Sequence, residues 1–293
     1  MEITNIKGGT YAILSPANVG LYVKNGAAML IDSGSDPSAG RKILRLAEAE
    51  GWDIKLIVNT HFHADHIGGN AFIQKRTGCA IAASERETPY INFPEMEPCE
   101  LWSGTAPQPL QTKFLRAEPS KVGITLADGD IIEEFGAKIV ALPGHAHGQI
   151  GVLTEDGVLF TADAVIAERI LEKYGIPFTA DYDKAMSTFA LLEEFKADIF
   201  IPTHGDLCKD IVPLVKANRD CLSALRAEIT EICSKPHTRD DILAELASRR
   251  GLEVNLPQYA LTHSTISAIL TPLLDSGELK ADFQSGTLKI IRS

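Results

Sequence analysis

Residues 55–69 read KLIVNTHFHADHIGG. A short apolar run passes directly into His61, His63, Asp65 and His66. The chain of 293 residues holds eight histidines, and three of them fall in this window, so the enrichment is local. The apolar run is short and suits a buried strand better than a helix. The cluster then lies on the loop leaving the strand's C-terminal end, which is where sites gather in α/β sheets. Imidazole and carboxylate are ligands for zinc, iron and manganese. On an extended segment, residues i and i+2 share a direction, so His61 and His63 can reach one ion. Asp65 and His66, after a bend, can reach a second. Four ligands do not complete such a site. A solvated His-rich loop remains the alternative unless the rest of the chain supplies more donors.

Three more donors follow apolar runs in the same way. His145 lies in LPGHAHGQ after AKIVALP, Asp163 ends VLFTAD, and His204 follows DIFIPT. Taken singly, a histidine or aspartate after a strand is more often a structural or capping residue. Seven such residues at strand ends point instead to one metal site assembled at a sheet edge.

The remaining pattern alternates strands and helices. TYAILS, VGLYVK and AAMLID read as strands, with Lys24-Asn25-Gly26 as the turn between the last two. Residues 37–50 read as a helix opened by Pro37 and closed by Gly51, and a second helix is expected at 69–77. Residues 88–120 carry six prolines and read as a long irregular insertion, an ordered lid in which Tyr90, Trp102 and Phe114 pack. Strands return from 122, with helices at 181–196 and 210–234 flanking DIFIPT. After Pro236, two helical runs precede ELKADF and TLKIIR, which read as a hairpin turning at Ser285-Gly286. Thr238 and Asp241 have capping-box spacing. The second helical run is read as STISAILTPLLDSG. The expected organisation is a catalytic domain over residues 1–230, with the insertion at 88–120, and a small α+β, winged-helix-like domain over residues 235–293.

The ordered set THFHADH, Gly144-His145, Asp163 and His204 in PTHG, with LIDSG at 30–34, resembles the metallo-β-lactamase superfamily over roughly residues 10–210. The resemblance implies a four-layer αββα sandwich with two divalent metals at one edge of its sheets. It implies that His61, His63 and His145 bind one ion, that Asp65, His66 and His204 bind the other, and that Asp163 bridges both. Asp32 is implied as a supporting residue behind the ligands, and His147, two residues past a ligand, is expected either there or facing substrate. Zinc is the metal expected first, with iron or manganese as alternatives. A water between two such ions has its pKa lowered toward neutrality and serves as the hydroxide nucleophile. Asp65 can accept a proton as well as bind metal. Asp163 stands where lactamases proper commonly carry cysteine. The set is most similar to glyoxalase II, lactonases and related ribonucleases.

The leading expectation is therefore a metal-dependent hydrolase acting on a small ester, thioester or lactone. The alternatives are phosphodiester hydrolysis of RNA at the same site, a mononuclear-iron thiol or persulfide dioxygenase, and a binding module that keeps the metals for structure. The net charge of −11 disfavours nucleic acid. So does the tail, where seven lysines and arginines face seven aspartates and glutamates between residues 235 and 293. No signal peptide or membrane-length apolar run is read. Five widely spaced cysteines without CxxC suit reduced thiols. These readings give a cytoplasmic enzyme, with a homodimer as a reasonable assembly.

Overall fold

The computed structural model describes residues 2–293. The first sheet holds β1 (Ile3–Lys7), β2 (Thr10–Ile13), β3 (Val19–Lys24), β4 (Ala27–Ile31), β5 (Asp53–Val58), β6 (Ala80–Ser84) and β7 (Ile124–Leu126) in sequence order. The first four pair antiparallel, and β4 to β7 run parallel. Asn25 and Gly26 both take positive φ, 52° and 82°, at the β3–β4 turn, as a two-residue type I′ hairpin requires. The second sheet holds β8 (Ile131–Ile132), β9 (Ala137–Ala141), β10 (Ile150–Leu153), β11 (Val158–Ala162) and β12 (Ile199–Pro202), in the order β12-β11-β10-β9-β8. Because β10 is antiparallel to both β9 and β11, and β11 is parallel to β12, strands β9, β11 and β12 all end at one edge.

Three apolar clusters define the layers. Between the sheets, Tyr22, Met29, Ile31, Leu56 and Val58 meet Phe135, Ile139, Ile150, Val152 and Phe160. Outside the first sheet lie α1 (Pro37–Ala49) and α3 (Asn70–Thr77). Ile43, Leu44, Ala47 and Ile73 of these helices pack on Leu21, Leu30 and Ile57. Outside the second sheet lie α7 (Tyr182–Glu194) and α8 (Val212–Ile232), with Phe189, Leu192, Val215 and Leu222 against Leu142, Leu159 and Phe200. This is the αββα sandwich that the family resemblance implied.

Several expectations change. Residues 88–120 are not irregular throughout: α4 (Thr88–Asn92) and α5 (Met96–Trp102) occupy the first half, and a 3₁₀ turn follows at Gln108–Leu110. Prolines near the helix starts permit this, since a first-turn N–H has no helical acceptor to lose. Of the three aromatic residues assigned to lid packing, Tyr90 stacks on Phe62 at 4.3 Å between centroids. Phe114, 74% exposed, does not pack and instead lines a cavity. A short helix, α6 (Glu168–Tyr174), was not anticipated. In the tail, α9 (Arg239–Arg250) has the Thr238/Asp241 capping box. The helix α10 (Leu256–Asp275) begins well before the STISAIL run, at an Asn255/Gln258 capping box, and carries Pro272 inside. The hairpin follows as β13 (Leu279–Gln284) and β14 (Thr287–Arg292).

The outer cluster on the second sheet continues without a break into Ile242, Leu246, Ile266, Ile269 and Leu273 of α9 and α10. The tail thus shares a hydrophobic core with the sandwich. No helix of the described residues is long and apolar enough to cross a membrane, and the five cysteines are free.

Candidate metal centre

All seven expected donors meet at the sheet edge where their strands end. Asp32 follows β4, the His61–His66 loop follows β5, and His145, Asp163 and His204 follow β9, β11 and β12. Within the β5 loop, α2 (Ala64–Ile67) supplies the bend after which Asp65 and His66 converge with His204, while the His66 ring stays 3.9 Å from that of His61. The two glycines after it allow close packing. A Cβ on Gly69 would stand 2.3 Å from the Ser33 carbonyl oxygen, and one on Gly68 would stand 2.3 Å from the Ser35 backbone. The metal loop therefore seats directly on the Asp32 loop. Asp32 (φ 62°) and Ala162 (φ 50°), beside Asp163, are non-glycine residues in the left-handed region, a cost of about 1 kcal/mol or more each. Both strained residues lie at strand ends bordering the cluster.

Three sets of donors converge: His61, His63 and His145; His61, His66 and Asp163; and Asp65, His66 and His204. His63 Nδ1 is 3.0 Å from His61 Nε2 and 2.9 Å from His145 Nε2. His204 Nε2 is 3.0 Å from Asp65 Oδ2 and 3.4 Å from Asp163 Oδ2. His66 Nε2 is 3.5 Å from Asp163 Oδ1, and His145 Nε2 is 3.6 Å from Asp163 Oδ2. Asp163 thus touches both groups. Donors around a tetrahedral ion at roughly 2.0–2.1 Å lie about 3.3 Å apart, so these spacings suit two small ions.

Hydrogen bonds fix which nitrogen faces inward. His145 Nδ1 donates to the Phe178 carbonyl at 3.2 Å, and His204 Nδ1 donates to the Pro16 carbonyl at 2.7 Å. His66 Nδ1 donates to Asp32 Oδ2 at 2.8 Å. The Thr60 hydroxyl donates to the same Asp32 oxygen and so can accept from His61 Nδ1, 3.1 Å away. Four of the five imidazoles therefore present Nε2 to the cluster. Among the buried polar atoms without a hydrogen-bond partner are His66 Nε2 and Asp163 Oδ1, and both face the cluster. Buried polar atoms are normally paired; these two, 3.5 Å apart and without a hydrogen bond, fit a site where a cation replaces the imidazolium proton.

The electrostatics divide the cluster in two. Burial first, then the neighbouring His66, His63 and His145, holds His61 well below the usual imidazole range. Burial and His145 push His63 down to about 3, and burial lowers His145. This trio is neutral and ready to donate. His204 is raised to about 9 by Asp163 against the cost of burial, and then by Asp65. Burial alone would lower His66, but Asp163, Asp65 and Asp32 outweigh it and raise it well above its ordinary value. Burial would likewise raise Asp163 and Asp65. For Asp163, the imidazoles of His204, His66 and His145 prevail, and for Asp65 those of His66 and His204 do; both carboxyls stay ionised. Without metal, the second group is thus a paired set of imidazolium and carboxylate that must shed protons when a cation enters.

Residues 12–204 match the family described as the metallo-beta-lactamase superfamily. The chain belongs to that superfamily. It is 28% identical over 230 residues to a probable metallo-hydrolase of Bacillus subtilis, covering 71% of this chain and 81% of that one. A hydroxyacylglutathione hydrolase of Erythrobacter litoralis is 30% identical over 135 residues, 45% of this chain and 42% of its own length. Among solved structures, a metallo-beta-lactamase family protein of Thermus thermophilus superposes with a TM-score of 0.75 at 21% identity, covering 97% of this chain and 99% of that one. The superfamily binds divalent metals, and the convergent histidines and aspartates are the candidate donors for them in this hydrolase.

Asp32, the expected support, is buried and holds Thr60 N and Thr60 Oγ1 at 2.8 Å as well as His66. His147 is exposed and belongs to none of the convergent donor sets; it lines a small pocket with His63, Glu87 and Glu97. Three bracing residues escaped the sequence reading. Glu87, 1% exposed, accepts from Phe62 N at 3.0 Å and Gly148 N at 2.7 Å, joining the loops that carry His63 and His145. Burial pushes its carboxyl up to about 7. Glu97 on α5 places Oε1 4.0 Å from His63 Nε2, and burial, with Asp65 and Glu100 nearby, raises it well above its usual range. Asn218 on α8 bonds both the N–H and the carbonyl of Ile166, just past Asp163. The sequence signal for Glu87 and Glu97 was weak: Glu87 stands just before the segment read as a lid, and Glu97 is one of several glutamates within it.

Proposed function

We propose that the protein is a dinuclear metal-dependent hydrolase of a small ester, thioester or lactone. In this reading His61, His63 and His145 hold one ion, Asp65, His66 and His204 hold the other, and Asp163 spans both. The observation that carries it is the seven-donor cluster, with His66 Nε2 and Asp163 Oδ1 facing inward without a hydrogen bond, at the floor of a cavity of about 430 Å³. Zinc is the ion we favour, since imidazole and carboxylate at tetrahedral spacing suit it.

When bound, the ions supply Lewis acidity toward a carbonyl oxygen and lower the pKa of water. The chain's own residues do the rest. Asp65, ionised and reaching the cavity, takes a proton from the attacking water and can return it to the leaving oxygen or sulfur. Asp32 keeps the His66 proton on Nδ1, so that Nε2 stays a donor to metal. The Phe178 ring, 5.1 Å from His63 and 5.5 Å from His145, covers that side of the cluster, and lowering the local dielectric there strengthens charge interactions.

The test is metal content followed by turnover. Protein purified without chelator should hold about two divalent ions per chain and hydrolyse a representative ester, thioester or lactone. Asp163→Ala should lose turnover with an unchanged circular dichroism spectrum. Full turnover by Asp163→Ala would end the dinuclear assignment.

A further inference from the structure

The cavity above the candidate centre is walled mainly by apolar side chains. Leu115 from the lid, Tyr174 at the end of α6, Ile176 and Phe178 after it, and Leu252 and Leu261 line it. Part of this wall comes from residues 251–262, the α9–α10 linker and the first turns of α10. These residues lie outside the segment 12–204 that matches the superfamily, so this part of the wall is an addition to the segment that carries the donors. It is also built in. Leu110, Leu115, Ala106 and Ala260 form one small apolar core with Leu256 and Leu261 beside it. Arg250 donates to the Gly175 carbonyl at 2.8 Å, and the Thr265 hydroxyl accepts from Thr179 N at 3.1 Å. The Phe178 carbonyl between these ties accepts from His145, so the wall and the donor cluster are held as one unit.

The charges on the cavity are few. Among its lining residues there is no arginine; beyond the donors, the charged side chains are Lys173, Glu97 and Glu253. Recognition of phosphates relies on arginine forks or clustered lysines, and this surface offers neither. A volume of about 430 Å³ is that of a pocket for a small organic ligand.

We infer that this cavity is an acyl pocket: the protein takes an uncharged ester or lactone whose acyl part is a medium-length apolar chain, and residues 251–262 set that preference. The inference rests on the hydrolase reading above and narrows it away from phosphodiesters.

The experiment compares p-nitrophenyl acetate, butyrate, hexanoate and octanoate on metal-loaded protein. Each methylene that leaves water for the pocket is worth roughly a threefold to fourfold gain in kcat/KM, so octanoate should exceed acetate by about 100-fold if four of its six added methylenes are buried and by about 700-fold or more if all are. Filling the pocket with Leu261→Trp, or with Val254→Trp at the half-exposed linker if the first fails to fold, should cut the octanoate-to-acetate ratio at least tenfold. A flat chain-length series, or a ratio untouched by both variants, overturns the inference. Binding of octanamide and acetamide, measured by calorimetry, separates the two readings. If no ester turns over but octanamide binds and Leu261→Trp weakens it, the pocket stands and the hydrolase reading falls. If octanamide binds no better than acetamide, the pocket falls whatever the turnover.

Discussion

Asp32→Asn is the most informative single change. Asparagine matches aspartate in shape and tolerates the left-handed backbone that position 32 requires, with φ 62°, so the fold keeps its geometry. The chemistry changes at one point. Asp32 accepts from Thr60 N, Thr60 Oγ1 and His66 Nδ1, each at 2.8 Å. An amide keeps one acceptor oxygen, which Thr60 N retains, and turns an NH₂ donor toward Thr60 Oγ1 and the His66 Nδ1–H. Two donors now face each other. The relief is for His66 to move its proton to Nε2, the atom that must coordinate. Losing one charge-assisted hydrogen bond and crowding another should cost about 2–3 kcal/mol of stability. Loss of a carboxylate behind a ligating imidazole typically costs roughly 10- to 100-fold in metal affinity. The assay is competition with a chromophoric chelator, resolving two binding events, alongside urea denaturation. The group containing His66 should lose that affinity, and the His61/His63/His145 group should change less than about threefold. Equal affinity of both events to wild type would refute the tautomer argument. Equal loss from both would show that Asp32 acts on the whole loop instead.

Further outcomes follow from the same geometry. Glu87→Ala should release the backbone that joins the two histidine loops, so amide exchange at Phe62 and Gly148 should quicken at least about tenfold while exchange in β3 stays unchanged; protected amides at both would contradict the bracing role. In metal-free protein, the His204 pKa is raised from its ordinary 6.5 to about 9, chiefly by Asp163. Its contribution to stability is therefore complete below pH 6.5 and lost as pH rises through 9. Denaturation midpoints of chelator-treated protein should fall across that window, and a level profile there would remove the imidazolium pair. His237→Ala should leave metal content at the wild-type value, since His237 lies on the tail with its backbone paired to Ile290. Any loss of metal would mean that the tail reaches the centre.

The seven candidate donors were legible because their chemistry is local: histidine and aspartate directly after apolar strands. The strand that places each one is a short buried run whose pattern survives without its neighbours. The bracing residues were not legible in this way. Glu87 acts by accepting from Phe62 and Gly148, partners distant in the chain, and nothing in SERET marks it. Lid helices α4 and α5 were missed because proline was read as a breaker, although proline at a first turn costs no hydrogen bond.

The sequence by itself determined the strand-and-loop order of the sandwich and the chemistry of its edge, because periodicity and donor type are properties of short segments. The tertiary structure decided which inward nitrogen each histidine presents, how the tail joins the second sheet's core, and what walls the cavity. Those depend on contacts between residues far apart in the chain, Asp32 with His66, Phe178 with His145 and Leu115 with the first turns of α10, and no local pattern encodes such distances.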